Sequence, residues 1–310
     1  MGGKVKVQPV SRVGLAPLVA MAEQLRASLP GWEGSLPTET RSAPSSDLAV
    51  DLEHLAKHDG DGFLTLSVAD EVVGFVAGHV RSRQLILPQL WILPELLDEH
   101  GTEVLLRRVM AYGERSGAID CAAHVLAGAD HQALMFRFGL RPRFPVYRVR
   151  LQTERARAVG VELARMLPGA ELTEDALARR TGAADLERLD RVVRGIARPM
   201  DHEHWLERGL RLAKIRDGQR IAGYAYGGQG QCGPVVASTR EAALAALGWS
   251  LQLAASSEVH HVDALIPAPF EAALEVVLDG QNTCVSTSQW MTRQPPAPFE
   301  RYVLPSVTLA

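Results

Sequence analysis

Trp91-Ile-Leu-Pro-Glu-Leu-Leu-Asp-Glu-His-Gly-Thr-Glu-Val-Leu-Leu106 is the stretch on which the reading of the fold turns. It opens on the end of a continuous apolar run, Leu85 to Leu93, of the length and composition of a buried strand. Pro94 ends that strand, since proline brings no N–H to a ladder. Apolar residues at helical spacing then run from Thr102 to Arg115, stopped at Ser116-Gly117-Ala118, and Ile119 to Val125 reads as the next strand. A strand, a crossover helix and a second strand follow one another here without a break.

The flanks extend this unit in both directions. Lys4 to Gln8 alternates as a strand, Val13 to Ala27 is a helix stopped by Pro30-Gly31, and residues 31–46 are a loop rich in Pro, Ser, Thr and Glu. Asp47 is placed as the cap of a helix reaching about Lys57, and Phe63 to Val68 pairs with Glu71 to Arg81 across the turn Ala69-Asp70. Downstream lie a short helix, Asp130 to Phe138, and a strand, Tyr147 to Leu151.

The same order returns in the second half. Helices at Ala183 to Arg194 and Asp201 to Arg208 precede a hairpin, Leu210 to Ile215 with Arg220 to Tyr226 across Asp217-Gly218. A strand, Cys232 to Ala237, a helix, Arg240 to Ala255, and a strand, Val259 to Leu265, follow. A helix from Pro267 to Leu278 and a strand from Val285 to Met291 complete it, and residues 152–172 are the hand-over between copies. The expected fold is α/β of the α+β kind: two domains, 1–152 and 153–310, each a mixed, mostly antiparallel sheet flanked by helices.

Length and composition agree. A chain of 310 residues is twice the size of an ordinary domain, and 46% apolar with 22% charged residues excludes a disordered or fibrous chain. No stretch has the ~20 apolar residues of a membrane span, and the start of the chain lacks a signal-peptide pattern, so a cytoplasmic protein without membrane contact is expected. Three scattered cysteines, Cys121, Cys232 and Cys284, argue for no disulfide framework and no zinc site. Residues 1–152 carry 16 basic and 17 acidic side chains and residues 153–310 carry 17 and 19, which speaks against DNA binding.

This order of elements resembles the GNAT acyltransferase fold. Pro94 and the pair Leu105-Leu106 align with the family pattern, in which a strand ending in Val-x-Pro enters an Arg/Gln-x-x-Gly-x-Gly/Ala loop. Phe138-Gly-Leu-Arg-Pro142 resembles the family's Leu-Gly-Phe-Arg-Pro turn. In the second half Gly223-Tyr-Ala-Tyr226, Gly233-Pro-Val-Val-Ala237, Val262-Asp-Ala-Leu-Ile-Pro267 and Phe299-Glu-Arg-Tyr-Val-Leu-Pro-Ser306 are similar to actinobacterial tandem members of the family. So is Arg191-Val-Val-Arg-Gly195 with Arg198-Pro-Met-Asp-His202.

The resemblance implies an acyl thioester donor lying along Leu90, Trp91, Ile92 and Leu93, with its pyrophosphate at the loop containing Gly101 and Thr102. That loop departs from the pattern: Leu97 stands at the Arg/Gln position, His100 at the central glycine and Thr102 at the last small residue. Asp98 and Glu99 would repel a pyrophosphate by about 1 to 4 kcal/mol. The family's tyrosine acid is missing as well, Met135 or Arg137 standing in its place. In the second half Gly233-Pro-Val-Val-Ala replaces the loop altogether.

His124, at the end of its strand, is the candidate base, with Asp130 and His131 at the start of the next helix. By resemblance to tandem acetyltransferases of the enhanced-intracellular-survival type, the Ala310 carboxylate reaches the amino-terminal site; packing of the apolar tail into the seam between domains is the other reading. Arg194, Asp201, His202 and Trp205 are candidates for holding an acceptor, with Asp201 placed as a helix cap. His202 and His204, two apart on a helix, do not make a metal pair, and His260-His261 alternates across a strand. Arg137, Arg141, Arg143, Arg148 and Arg150, interleaved with Phe136, Phe138, Phe144 and Tyr147, are either an RNA contact or an exposed strand.

Three functions follow from these residues. The first is transfer of an acyl or aminoacyl group to a small amine from a carrier-protein pantetheine or an aminoacyl-tRNA, with no permanently bound cofactor. The second is an ordinary acetyl-CoA-dependent N-acetyltransferase with an atypical loop. The third is a ligand-binding protein that keeps the fold without the chemistry.

Overall fold

Residues 5–27, 44–96, 100–125, 129–167, 183–256, 258–278, 283–306 and 308–309 are described by a computed structural model of the chain. They divide into two compact units, 1–143 with 288–294, and 144–287 with 295–310. A short piece from near the end of the chain therefore belongs to the first unit.

The first unit runs β1 (Val5–Pro9), α1 (Ala16–Ala27), α2 (Pro44–His58), β2 (Phe63–Val68), β3 (Glu71–Arg81), β4 (Gln84–Ile92), α3 (His100–Arg115), β5 (Asp120–Val125) and α4 (Ala129–Arg137). Its strands lie in the order β1-β2-β3-β4-β5, followed by residues 289–292 of β11 (Thr283–Thr292). Neighbours are antiparallel except β4 and β5, which the α3 crossover makes parallel. The hairpin turn at Ala69-Asp70 has positive φ at both residues, the geometry that matches the twist of two-residue hairpins. Helix α2 already includes Pro44, so Asp47 lies inside the helix rather than at its cap.

Leu105, Leu106 and Val109 of α3 pack on Leu66, Val76, Leu85 and Leu87 of the sheet, each buried side chain contributing about 1.5 to 3 kcal/mol. The helix comes close because glycine faces the sheet: a Cβ on Gly113 would lie 2.8 Å from Leu85 Cδ2.

The second unit takes in most of β6 (Arg141–Gln152) and continues with α5 (Thr153–Ala164), α6 (Ala183–Val193), α7 (Pro199–Glu207), β7 (Arg211–Asp217), β8 (Arg220–Gly228) and β9 (Gln231–Ala237). Then come α8 (Arg240–Ala254), β10 (His261–Pro267), α9 (Glu271–Val277) and β12 (Tyr302–Val303). Strand order is β6-β10-β9-β8-β7, with β12 on β9. Helices α5 and α8 touch backbone to backbone: a Cβ on Gly248 would lie 2.5 Å from the Ala164 nitrogen and 2.6 Å from the Gly160 carbonyl oxygen.

Irregularities shared by both sheets confirm the repeat. In the first hairpin the register shifts after Leu66↔Gly74, and in the second after Ile215↔Gly223. One extra residue then enters β4 between the pairs Ala77↔Gln89 and His79↔Ile86, and one enters β9 between Ala225↔Val235 and Gly227↔Cys232. Each of these bulges holds a proline, Pro88 or Pro234. The parallel ladders end beside them, at Leu87↔Ala123 and at Cys232↔Ala264. Two bulges in matching places are hard to reach from unrelated domains.

The described part of the tail joins the second sheet. Tyr302 and Val303 pair with Val236 and Val235 of β9, while the Leu304 amide donates to the Leu265 carbonyl of β10. No helix among the described residues is long and apolar enough to cross a membrane.

Candidate active site

Beyond Leu87↔Ala123 the first unit's β4 and β5 separate. Pro88 sits at the fork, where an N–H would otherwise continue the ladder. The gap is a narrow cleft lined by Leu87, Pro88, Leu90 and Trp91 from β4, Ala123, His124 and Val125 from β5, and His131 and Met135 from α4.

The backbone edge of β4 is directed by its ladder. The Leu93 amide donates to the Val73 carbonyl on β3, at 3.0 Å. By alternation Trp91 faces β3 as well, and the N–H and C=O groups of Leu90 and Ile92 face the side from which β5 has departed. Behind this edge the indole of Trp91 donates to Gln89 Oε1 at 2.6 Å, and Gln89 Nε2 donates to the Pro88 carbonyl at 2.9 Å. Both side chains are buried, so the bulge is held by a network inside the unit.

His124 is buried on β5, and its Nε2 lies 2.6 Å from Ser288 Oγ. Trp290, opposite His124 in the β5–β11 ladder, stands with its ring 6.0 Å away. His131, on the first turn of α4, is half-buried; burial lowers its pKa, so the ring is neutral at neutral pH and can accept a proton. Its Nε2 is buried without a hydrogen-bond partner among the described residues. Asp130 beside it is exposed. The structure therefore gathers Leu90, Trp91, His124 and His131 at one cleft.

The other candidates are elsewhere or differently engaged. Gly101 is buried in α3, and a Cβ there would lie 3.1 Å from both Leu66 and Val5 side chains, which accounts for a glycine by packing. The Thr102 hydroxyl donates to the Leu96 carbonyl at 2.6 Å, tying the end of the preceding turn to the helix. Leu97, Asp98, Glu99 and Ala310 lie outside the described residues.

Arg194, Asp201, His202 and Trp205 are all buried in the second unit. Asp201 is in the first turn of α7, which Pro199 begins after Arg198; it is not the cap that sequence reasoning made of it. Three of the four meet a buried network that the sequence reading missed. Asp190, fully buried, accepts from His202 Nε2 at 3.1 Å, from Tyr224 and from Arg198 at 3.5 Å. Arg198 also donates to Tyr302 at 2.7 Å and stacks on Trp205, and His202 Nδ1 lies 3.0 Å from the Tyr226 hydroxyl. Burial alone would raise the Asp190 carboxyl; the Arg198 charge with hydrogen bonds from His202 and Tyr224 outweighs it and holds the carboxyl below its usual range. Arg194 packs against the Phe299 and Tyr302 rings, and burial pulls its pKa down to about 10.

Most of the arginines near residue 141 have protein partners. Arg143 bonds Thr292, Arg148 and Arg150 share Asp263, and Arg141 covers the half-exposed Phe136 ring.

A mixed sheet that opens between its fourth and fifth strands at a bulge, between paired helices, occurring twice in one chain, is the fold of the tandem GCN5-related N-acetyltransferases. Over its whole length the chain is similar to a candidate acetyltransferase from Pyrococcus horikoshii, at 17% identity, covering 100% of this chain and 97% of that one with a TM-score of 0.72. A GCN5-related N-acetyltransferase from Sphaerobacter thermophilus aligns at 14% identity over 94% and 96% of the two chains, with a TM-score of 0.59. A tandem GNAT protein of the clavulanic acid biosynthesis pathway aligns at 15% identity over 95% and 99%, with a TM-score of 0.55. No protein-family model and no curated protein matches the chain.

Proposed function

We propose that the chain is an N-acyltransferase in which the first unit performs the chemistry. The observation that carries this reading is the contrast between the two forks. Between β4 and β5 the fork is an open cleft with two histidines on its wall, whereas between β9 and β10 the chain's own residues 302–304 form the intervening strand. An extended, amide-bearing donor arm would add to the β4 edge as that tail strand adds to β9.

The thioester carbonyl then meets the N–H groups of Leu90 or Ile92, which stabilise the oxygen as it gains charge. An amine attacks the carbonyl carbon, its proton passes to His124, and the C–S bond of a thioester, or the C–O bond of an aminoacyl ester, breaks with the thiolate or the ribose hydroxyl leaving. His131, neutral and on the first turn of α4, lines the same cleft.

The donor is read as a carrier-protein thioester or an aminoacyl-tRNA, since the acidic loop at Asp98-Glu99 is a poor seat for the pyrophosphate of free acetyl-CoA. The acceptor is a small amine, and the working compartment is the cytoplasm. Titration calorimetry with acetyl-CoA tests the donor: binding below the millimolar range would favour the ordinary acetyl-CoA-dependent enzyme. Incubation with pooled acyl thioesters, charged tRNA and amines, followed by mass spectrometry, tests the activity. If no donor is consumed, the chain is a binding protein and the enzymatic reading fails.

A further inference from the structure

Strand β5 has the open fork on one side, toward β4, and β11 on the other. From β11, 164 residues further along the chain, Ser288 places its hydroxyl oxygen 2.6 Å from Nε2 of His124. Ser288 belongs to the short piece of late chain that completes the first unit, lies one residue beyond the ladder pair Gln289↔Val125, and is half-buried. Trp290 stands directly opposite His124 with its ring 6.0 Å away, and by strand alternation Ser288, Trp290 and His124 share one face of the sheet. Ser288 itself stands outside the lining of the fork, so what it reaches is the base and not the reacting atoms. A base oriented from behind by a third group is a recurring arrangement in group transfer.

A neutral imidazole carries one N–H and one lone pair, so its use as a base depends on which nitrogen holds the proton. A hydroxyl that accepts from Nε2–H leaves the lone pair on Nδ1. It keeps accepting when the ring becomes imidazolium, because Nε2–H is present before and after proton uptake. A hydroxyl that donated to Nε2 would instead put the ring proton on Nδ1, and no lone pair would remain for the amine. We infer that Ser288 is a positioning residue of the transfer: its Oγ accepts the Nε2–H of His124 and so fixes Nδ1 as the atom that takes the amine proton. This rests on the acyl-transfer reading for the role of His124, and it leaves the direct attack of the amine on the donor as it stands. The N–C bond forms, the bond to the leaving sulfur or oxygen breaks, one proton moves from the amine nitrogen to Nδ1, and Ser288 gains no covalent bond.

The test uses the full-length chain with isotope-labelled histidine. Long-range proton–nitrogen correlation, at a pH where the ring is neutral, reads the tautomer, and the His124 signals are those lost in His124→Asn. The ring proton is expected on Nε2 in the wild type and in Ser288→Thr, which keeps the hydroxyl, and divided between the two nitrogens in Ser288→Ala. With acetyl-pantetheine as donor and pooled primary amines as acceptors, Ser288→Ala should lower kcat by about 10- to 100-fold with the donor KM unchanged, and Ser288→Thr should recover most of it. A wild-type proton on Nδ1, or the wild-type tautomer retained in Ser288→Ala, overturns the inference. So does acyl transfer by Ser288→Ala at the wild-type kcat, a result that leaves the acyltransferase reading intact. An Nε2 proton that depends on Ser288, with no amine acylated from any thioester, upholds the contact and removes that reading instead.

Discussion

Replacing Asp190 by asparagine removes the charge that the interior of the second unit is arranged around. Asp190 is 0% exposed and Arg198 1% exposed, so neither charge is screened by water. The substitution keeps the volume but leaves the Arg198 guanidinium buried without its carboxylate, and removing one partner of a buried pair costs about 3 to 5 kcal/mol. The second unit spans residues 144–287 and 295–310, a size at which 1 kcal/mol moves the melting temperature by about 2 to 4 °C. Asp190→Asn should therefore lower the unit's transition by about 6 to 20 °C. The deficit should also depend on pH. The folded carboxyl is held below the unfolded value of about 3.9, so its contribution is complete above that value and is lost as pH falls through the folded pKa. Wild type and variant should thus differ equally at pH 7 and pH 5 and converge below about pH 4. Calorimetry and near-ultraviolet circular dichroism across this range read both effects. A loss under about 1 kcal/mol at pH 7, or a difference that persists unchanged into acid, would refute the assignment of the network as a buried ion pair.

Other outcomes follow from the same geometry. His124→Asn should lower acyl transfer by about 10² to 10⁴ while the chain stays folded, checked by steady-state kinetics beside a thermal melt. Gly248→Ala places a Cβ against the Ala164 and Gly160 backbones and should destabilise by about 1 to 3 kcal/mol, measured by urea unfolding; a neutral effect would mean the α5–α8 crossing is looser than described. Tyr302→Phe removes the hydroxyl that accepts from Arg198 and should cost about 1 to 3 kcal/mol without changing the first unit's chemistry, as seen by comparing melting with kinetics.

Much of this arrangement could be read from the chain, because local rules govern it. Leu85 to Leu93 is a continuous apolar run and appears as β4; Ala69-Asp70 is a turn dipeptide and appears as a hairpin turn, whereas the second hairpin turns one residue later than Asp217-Gly218, at Gly218-Gln219, with Asp217 paired to Arg220. The fold class follows from that order, and the histidines read at the fork do line it. What escaped was either weakly marked or distant. Helix α5 has buried Ala156, Val159, Gly160 and Leu163 at helical spacing, yet its mean hydropathy is unremarkable beside the strands around it. Strand β12 is two residues long, and only the gap in the β9–β10 ladder gives it a place. Gln89 reads as a polar interruption of an apolar strand, and its purpose is visible only once Trp91 and Pro88 are seen to bond it. Ser288 carries no local signal at all, since its meaning depends on a residue 164 positions away.

The central claim is that the open fork of the first unit seats the donor along β4. Amide hydrogen exchange of the full chain with acetyl-pantetheine, which lacks the nucleotide and so bypasses the acidic loop, measures this directly. Exchange at Leu90 and Ile92 should slow by at least about tenfold at saturating ligand, with β9 and β10 unaffected behind their own tail strand. Unchanged exchange at Leu90 and Ile92, or protection arising in β9 and β10 instead, would contradict it.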